Sequence, residues 1–255
     1  MDPKAVGGAV LILIAVAHSG LGEARILRPL VSLGGLPGVS AQVSGRILRM
    51  AWHATSLAWV GLAMVLFGAS HSAAMLVAAG LPALFSVAVV RTHLAWPLFL
   101  LALFVVLRAE GNLSDSALAV GGSAAIAIAV VAAAVHLYWA SGGRWGQSTA
   151  VPSQRDDSGD VPVFRPPRLA TAGVGLLLAI YGGALGLLLA GGAPSPARWL
   201  VAAGVVVLAL RAIGDGRYVG FTKRIRGTAF ASADDRWFTP LVVALAFGSA
   251  AALFA

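Results

Sequence analysis

The length of the apolar blocks is what most constrains this chain. Segments 117–140 and 169–192 each run for two dozen residues without an Asp, Glu, Lys or Arg. A helix of about 20 apolar residues crosses the hydrocarbon core of a bilayer and satisfies every backbone N–H and C=O within itself. A soluble domain needs about 25% charged residues to keep its surface wet, and here only 11% of 255 residues are charged while 59% are hydrophobic. The fold class expected is therefore all-α, a polytopic transmembrane helical bundle.

Eight segments qualify as spans: 5–21, 50–70, 72–91, 94–108, 117–140, 169–192, 197–214 and 237–255. The first follows a weakly basic start, lacks a good cleavage site and is read as a retained span, not a signal peptide. The distribution of basic residues tests the count. Fifteen Lys and Arg fall in the odd-numbered loops, and three (Lys4, Arg108 and Arg198) fall on the other side. Basic loops stay in the cytoplasm, so both termini are expected outside, in the inner (cytoplasmic) membrane of a cell. The long connections 22–48, 141–168 and 215–236 would then be cytoplasmic, and the polar run SQRDDSGD (153–160) reads as a flexible joint between halves. The net charge of +8 is explained by topology, and nucleic acid is not expected as a partner; the lipid bilayer is.

The two halves echo one another. His18 and His136 each close a span and are followed by glycines and then a proline; RMA (49–51) and RLA (168–170) open the next spans. Arg91 and Arg211 end the third and seventh, and WPL (96–98) and WFTPL (237–241) open the fourth and eighth. The pattern predicts a 4+4 parallel repeat, with a first unit over 1–116 and a second over 117–255 joined in one bundle. Four spans per unit would give both the same orientation, about a pseudo-two-fold axis along the membrane normal. Abundant small residues, including Gly182-x-x-x-Gly186, suit close helix packing.

Several runs in the second half stand in a specific order: HLYWASGGRWG (136–146), AVP (150–152), Phe164-x-Pro166, Thr171–Val174, LRAIGDGRYVGF (210–221), KRIRGTAFA (223–231) and Asp235 to Leu241. Over residues 118–255 the chain resembles the bacterial membrane proteins of domain-of-unknown-function family 3995. The first half, with AHSGLGEARIL (17–27) and RMAWHATSLAW (49–59), is similar to small four-span bacterial membrane units. The resemblance implies a membrane helical fold and supplies no reaction.

Chemistry must be sought in the polar residues, and these gather at the expected cytoplasmic ends of the spans. His18, His53, His93 and His136 lie there, as do Glu23, Arg91, Arg211 and Asp215, while His71 lies on the opposite side. Arg211, Asp215 and Tyr218 are spaced to share one helix face, as are Arg49, His53 and Ser56, with Trp52 and Trp59 on a neighbouring stripe. Arginines at such positions ordinarily snorkel and tryptophans form an interfacial belt. Beyond that, the candidate ligand-binding set is His18, Glu23, His53, His136, Arg211, Asp215 and Tyr218. It suits a cytoplasm-facing pocket that binds or transports a small molecule or ion. A second reading makes His18, His53 and His136 ligands of haem or a metal ion, since imidazole is suited to both. A third is an accessory subunit with a membrane-protein partner. No cysteine is present, which excludes disulfides and thiolate ligation, and no HExxH, catalytic triad spacing or phosphate-binding glycine loop appears. The residues lean away from an enzyme.

Overall fold

The structure, a computed structural model, describes residues 2–34, 40–89, 95–156 and 159–255. The chain divides into two compact units, Met1–Leu113 and Ser114–Ala255. The first contains α1 (Pro3–Gly22), α2 (Arg28–Ser32), α3 (Ala41–Leu66), α4 (His71–Met75), α5 (Leu81–Val89) and α6 (Ala95–Ala109). The second contains α7 (Asp115–Ala140), α8 (Gln147–Ala150), β1 (Ser153–Asp156), β2 (Gly159–Pro162), α9 (Arg168–Leu189), α10 (Ser195–Ile213), α11 (Ala229–Ala233) and α12 (Thr239–Phe254). The all-α class holds, and the described strands form one antiparallel hairpin.

Helix starts follow hydroxyl caps. Ser40, Ser70, Ser114 and Thr228 each accept a hydrogen bond from the backbone N–H three residues ahead, at the head of α3, α4, α7 and α11. Pro29, Pro82 and Pro240 lie within runs of helix and do not stop them. A π turn precedes each: Glu23–Leu27 before Pro29, Leu76–Gly80 before Pro82, and Asp234–Phe238 before Pro240. The N–H groups of Arg28, Leu81 and Thr239 reach back five residues to Glu23, Leu76 and Asp234. A proline inside an α-helix clashes with the carbonyl four residues back. The widened turn moves that carbonyl aside, and the helix runs on.

Continuous helices therefore extend over Pro3–Ser32 and Ala229–Phe254. This corrects the connections expected from sequence. Residues 22–32 and 41–48 are helical, so the segment 22–48 is not a long loop. The last helix starts eight residues before 237. Within the run SQRDDSGD, expected to be a flexible joint, the described residues lie in β1 and β2, which pair in register Ser153↔Pro162 to Asp156↔Gly159.

Among the described residues, five helices are long and apolar enough to cross a membrane: Pro3–Ser32, Asp115–Ala140, Arg168–Leu189, Ser195–Ile213 and Ala229–Phe254. Helix α3 has 26 residues but carries Arg46 and Arg49 in its first half, and His71–Ser86 and Phe99–Ala109 are shorter apolar helices. Large apolar side chains point away from the packed interior, among them Leu13, Val16, Val131, Ile180, Val207 and Leu210. Helices that are apolar on their outer faces as well belong in lipid, and the protein is membrane-embedded.

In the first unit α1 packs on α3, and α3 packs on the π turn at 76–80. In the second, α7 lies between α9 and α12, and α12 also packs on α10. Its core mixes Ala125, Ala129, Ala184 and Ala252 with Tyr181, Leu185, Leu188 and Val201. A close helix approach there brings Gly248 over the Gly121 carbonyl, where a Cβ would sit 2.4 Å from the oxygen. Gly186, in the motif expected to pack closely, has open space beside it.

Candidate functional site

In the first unit, a polar cluster forms between α1 and α3. Glu23 opens the π turn and receives Arg49: Nε donates to both carboxylate oxygens at 3.0 Å, and Nη2 lies 3.0 Å from Oε1. Arg28 approaches the same carboxylate at 3.5 Å. His53, one turn after Arg49, holds Nε2 at 3.9 Å from Glu23 Oε2. Its other nitrogen, Nδ1, bonds Ser19 Oγ at 3.0 Å. Ser19 donates to Ser56 Oγ at 2.8 Å, and Ser56 Oγ meets His18 Nδ1 at 3.0 Å.

The His18 ring lies flat on Trp52, with centroids 4.4 Å apart and planes 5° from parallel, while Trp59 meets it edge-on at 4.9 Å. Trp52 Nε1 donates to the His18 carbonyl at 2.8 Å. The indole can lie there because position 22 is glycine: a Cβ would fall 2.1 Å from Trp52 Nε1. A cavity of ≈ 450 Å³ opens beside Arg49 and His53 and is otherwise lined by apolar side chains, including Leu57, Leu84 and Phe85. The face predicted from the spacing of Arg49, His53 and Ser56 is thus real, and Glu23 and His18 join it. Ser19 was not singled out, although its place beside His18 in an apolar helix was the available signal.

His136 occupies a different setting. Its Nδ1 donates to the carbonyl of Ala132, one turn back, at 2.7 Å. A carbonyl can only accept, so the neutral ring carries its proton on Nδ1 and leaves Nε2 as an acceptor. The ring meets Trp139 edge-on at 5.3 Å, and Trp139 Nε1 is held by the Trp145 carbonyl at 2.8 Å. His136 and Trp139 line a cavity of ≈ 250 Å³ together with Gln147, Ala150, Val151, Phe164, Pro166, Ala170, Thr171 and Val174. Separate sequence runs thus converge on one cavity: HLYW, the segment ending in AVP, Phe164-x-Pro166 and the start of α9. Gln147 was not foreseen.

Arg211, Asp215 and Tyr218 do not share a helix face. Helix α10 ends at Ile213, because Gly214 turns at φ 96°. Beyond it the GDGRYVG loop folds back: Phe221 N–H bonds the Ala212 carbonyl at 2.9 Å and Thr222 N–H the Ile213 carbonyl at 3.0 Å. Asp215 turns its carboxylate onto that loop, and Oδ1 accepts from the N–H groups of Arg217, Tyr218 and Val219 at 2.9, 2.7 and 3.0 Å. Burial alone would raise its pKa; the three N–H bonds, led by Val219, outweigh this and hold it below the usual carboxylate range. Tyr218 Oη reaches Gln154 Oε1 at 3.4 Å.

Arg211 pairs with Asp234, at 2.7 Å, and not with Asp215. Lys223 is fully buried; its Nζ bonds Asp234 at 2.8 Å, Asp235 at 2.6 Å and the Gly220 carbonyl at 3.2 Å. Gly220 N–H completes the Asp234 shell at 2.9 Å. Neither Lys223 nor Asp234 was picked out from sequence. One signal was available: the chain has 16 arginines and only two lysines, so a lysine within an arginine-rich segment stood apart.

Arg91 and His93 lie outside the described residues. Among the described residues no group of three His, Cys, Asp or Glu side chains could hold a metal ion. No curated protein and no solved structure matches the chain. The resemblance read from the motifs of the second half does hold, over a somewhat shorter stretch: residues 129–249 match the model of the family described as Protein of unknown function (DUF3995).

Proposed function

We propose that the protein binds a small molecule in the second-unit cavity beside His136, as a receptor or carrier in the membrane. The observation that carries this reading is the convergence of four separated sequence runs on one cavity with an unshared imidazole nitrogen. Trp139, Phe164 and Pro166 offer flat apolar walls, His136 Nε2 offers an acceptor and the Gln147 amide offers both a donor and an acceptor. That lining fits a small aromatic ligand with an amide or hydroxyl group. Arg211, Asp215 and Tyr218 act in this reading as the scaffold of the neighbouring loop.

The reading includes eight crossings as a 4+4 parallel repeat, with the His136 cavity on the cytoplasmic side of the inner membrane and both termini outside. The skew of Lys and Arg between alternate connections supports that orientation. Benzamide is a suitable probe for the purified full chain in nanodiscs. Saturation-transfer NMR should detect its binding, with loss in His136→Ala and Trp139→Ala while helical content is unchanged. Equal binding by the wild type and both variants removes the site. Uptake of labelled benzamide into proteoliposomes separates a carrier from a receptor.

A further inference from the structure

We infer that the first unit contains a proton-transfer site, a one-directional hydrogen-bond chain that delivers a proton from His53 to His18. Each link fixes the next. Ser19 spends its hydroxyl hydrogen on Ser56, so it can only accept from His53, whose proton is then on Nδ1. Ser56 has His18 Nδ1 as partner for its own hydroxyl hydrogen, so neutral His18 carries its proton on Nε2. Two histidines in opposite tautomers joined through two hydroxyls make a relay, with every spacing between 2.8 and 3.0 Å.

The step balances without a co-reactant. A proton from water binds His53 Nε2, which is partly exposed and lies 3.9 Å from the Glu23 carboxylate. His53 releases its Nδ1 proton to Ser19, Ser19 passes its own to Ser56, and Ser56 passes its own to His18 Nδ1. His53 is left neutral with its proton on Nε2, and His18 becomes an imidazolium. The proton charge has then crossed from His53 on α3 to His18 on α1.

The destination is built for a cation. The imidazolium lies flat against the face of Trp52 with the edge contact of Trp59, and an indole face attracts a desolvated cation. The Trp52 bond to the His18 carbonyl keeps the stack in register. The remaining charged groups facing the chain are Glu23 and Arg28 from the α1 side and Arg49 from α3. Their charge is concentrated at the His53 end. The π turn 76–80, which packs on α3, brings no titratable group.

The test is ¹⁵N NMR of the full chain, labelled at histidine and held in nanodiscs, from pH 8 to pH 5. At pH 8 His53 should be protonated on Nδ1 and His18 on Nε2, and on acidification His18 should become doubly protonated. Ser19→Ala should slow proton exchange at His18 by about 10²-fold, the lower end of what a positioned proton-transfer group contributes. Ser19→Thr, which keeps the hydroxyl, should restore it. The same tautomer in both rings overturns the inference, and so does an unchanged exchange rate in Ser19→Ala. The tautomer assignment needs only the wild-type protein, so it decides the matter even if a variant fails to fold.

Discussion

Two helices place an acid six residues ahead of a proline, and the two acids have different fates. Glu23 precedes Pro29 and Asp234 precedes Pro240, and each opens the π turn that carries its helix past the ring. Leu76, six residues before Pro82, opens a third such turn without an acid. The proline therefore explains the turn, and the acid is an addition to it. Glu23 keeps 23% of its side chain exposed and meets arginines from the adjoining helical segment and from α3. Asp234 is wholly buried and is enclosed by Arg211, Lys223 and the Gly220 amide. The same local device yields an open polar cluster in one unit and a closed charge knot in the other. What differs is the loop: GDGRYVGFTK brings a lysine and a backbone N–H onto Asp234, and among the described residues no comparable segment covers Glu23.

The comparison breaks first at Asp234. Removing one partner of a buried ion pair costs about 3–5 kcal/mol, since the remaining charges stay buried without compensation. Asp234→Ala should therefore destabilise the second unit by that order, measured by denaturant unfolding in detergent and by faster amide exchange over residues 214–227. Glu23→Gln should cost clearly less, because water reaches its partners. Equal losses would mean that burial does not distinguish the two acids.

Much of this was legible beforehand, and the exceptions share a cause. Helix class and the Arg49–His53–Ser56 face follow from composition and periodicity, and the family resemblance rests on the order of motif runs in the second half; the local sequence carries all three. The reading of 22–48 as a loop failed because proline and glycine usually end a helix, and a π turn is an uncommon way around that rule. The reading of Arg211, Asp215 and Tyr218 as one face failed because it extended helical spacing past Gly214. The pairing of Lys223 with Asp234 depends on a tertiary fold-back that no helical periodicity encodes.

Gly214 offers a sharper cut through the same contrast. It turns at φ 96°, and a Cβ would lie 1.9 Å from the Val219 carbonyl oxygen. Gly214→Ala should cost about 1–3 kcal/mol from the backbone alone, and the loss should appear as exposure of Lys223 to amine-reactive reagents. Gly20, in α1 ahead of Glu23, has nothing within 4 Å of its missing Cβ. Gly20→Ala should leave the first unit intact or raise its melting temperature slightly, as alanine favours a helix interior. If both substitutions behave alike, the loop is not what closes the knot.

A third acid, Glu110, extends the comparison to a carboxylate at the start of a helix. It follows α6 and caps the head of α4, accepting from the N–H of His71 at 3.0 Å, the N–H of Ser72 at 2.7 Å and the Ser72 hydroxyl at 2.5 Å. His71 Nδ1 adds a bond at 2.6 Å. The Ser72 hydroxyl and amide, with lesser help from His71, bring its pKa from 4.5 down to about 2. A depressed carboxylate contributes stability that is complete above its ordinary value and disappears as pH falls through the folded one. The cap should thus be fully present above pH 4.5, weaken below it and be gone below about 2. Amide exchange at His71 and Ser72 reads this directly, and Ala73 supplies the internal reference, since its N–H is capped by the non-titrating Ser70 hydroxyl at 3.2 Å. The first two amides should lose protection with acid relative to Ala73, and Glu110→Gln should abolish the difference. Parallel loss at all three would mean that the whole turn opens, and that this acid, unlike Asp234, holds nothing of its own.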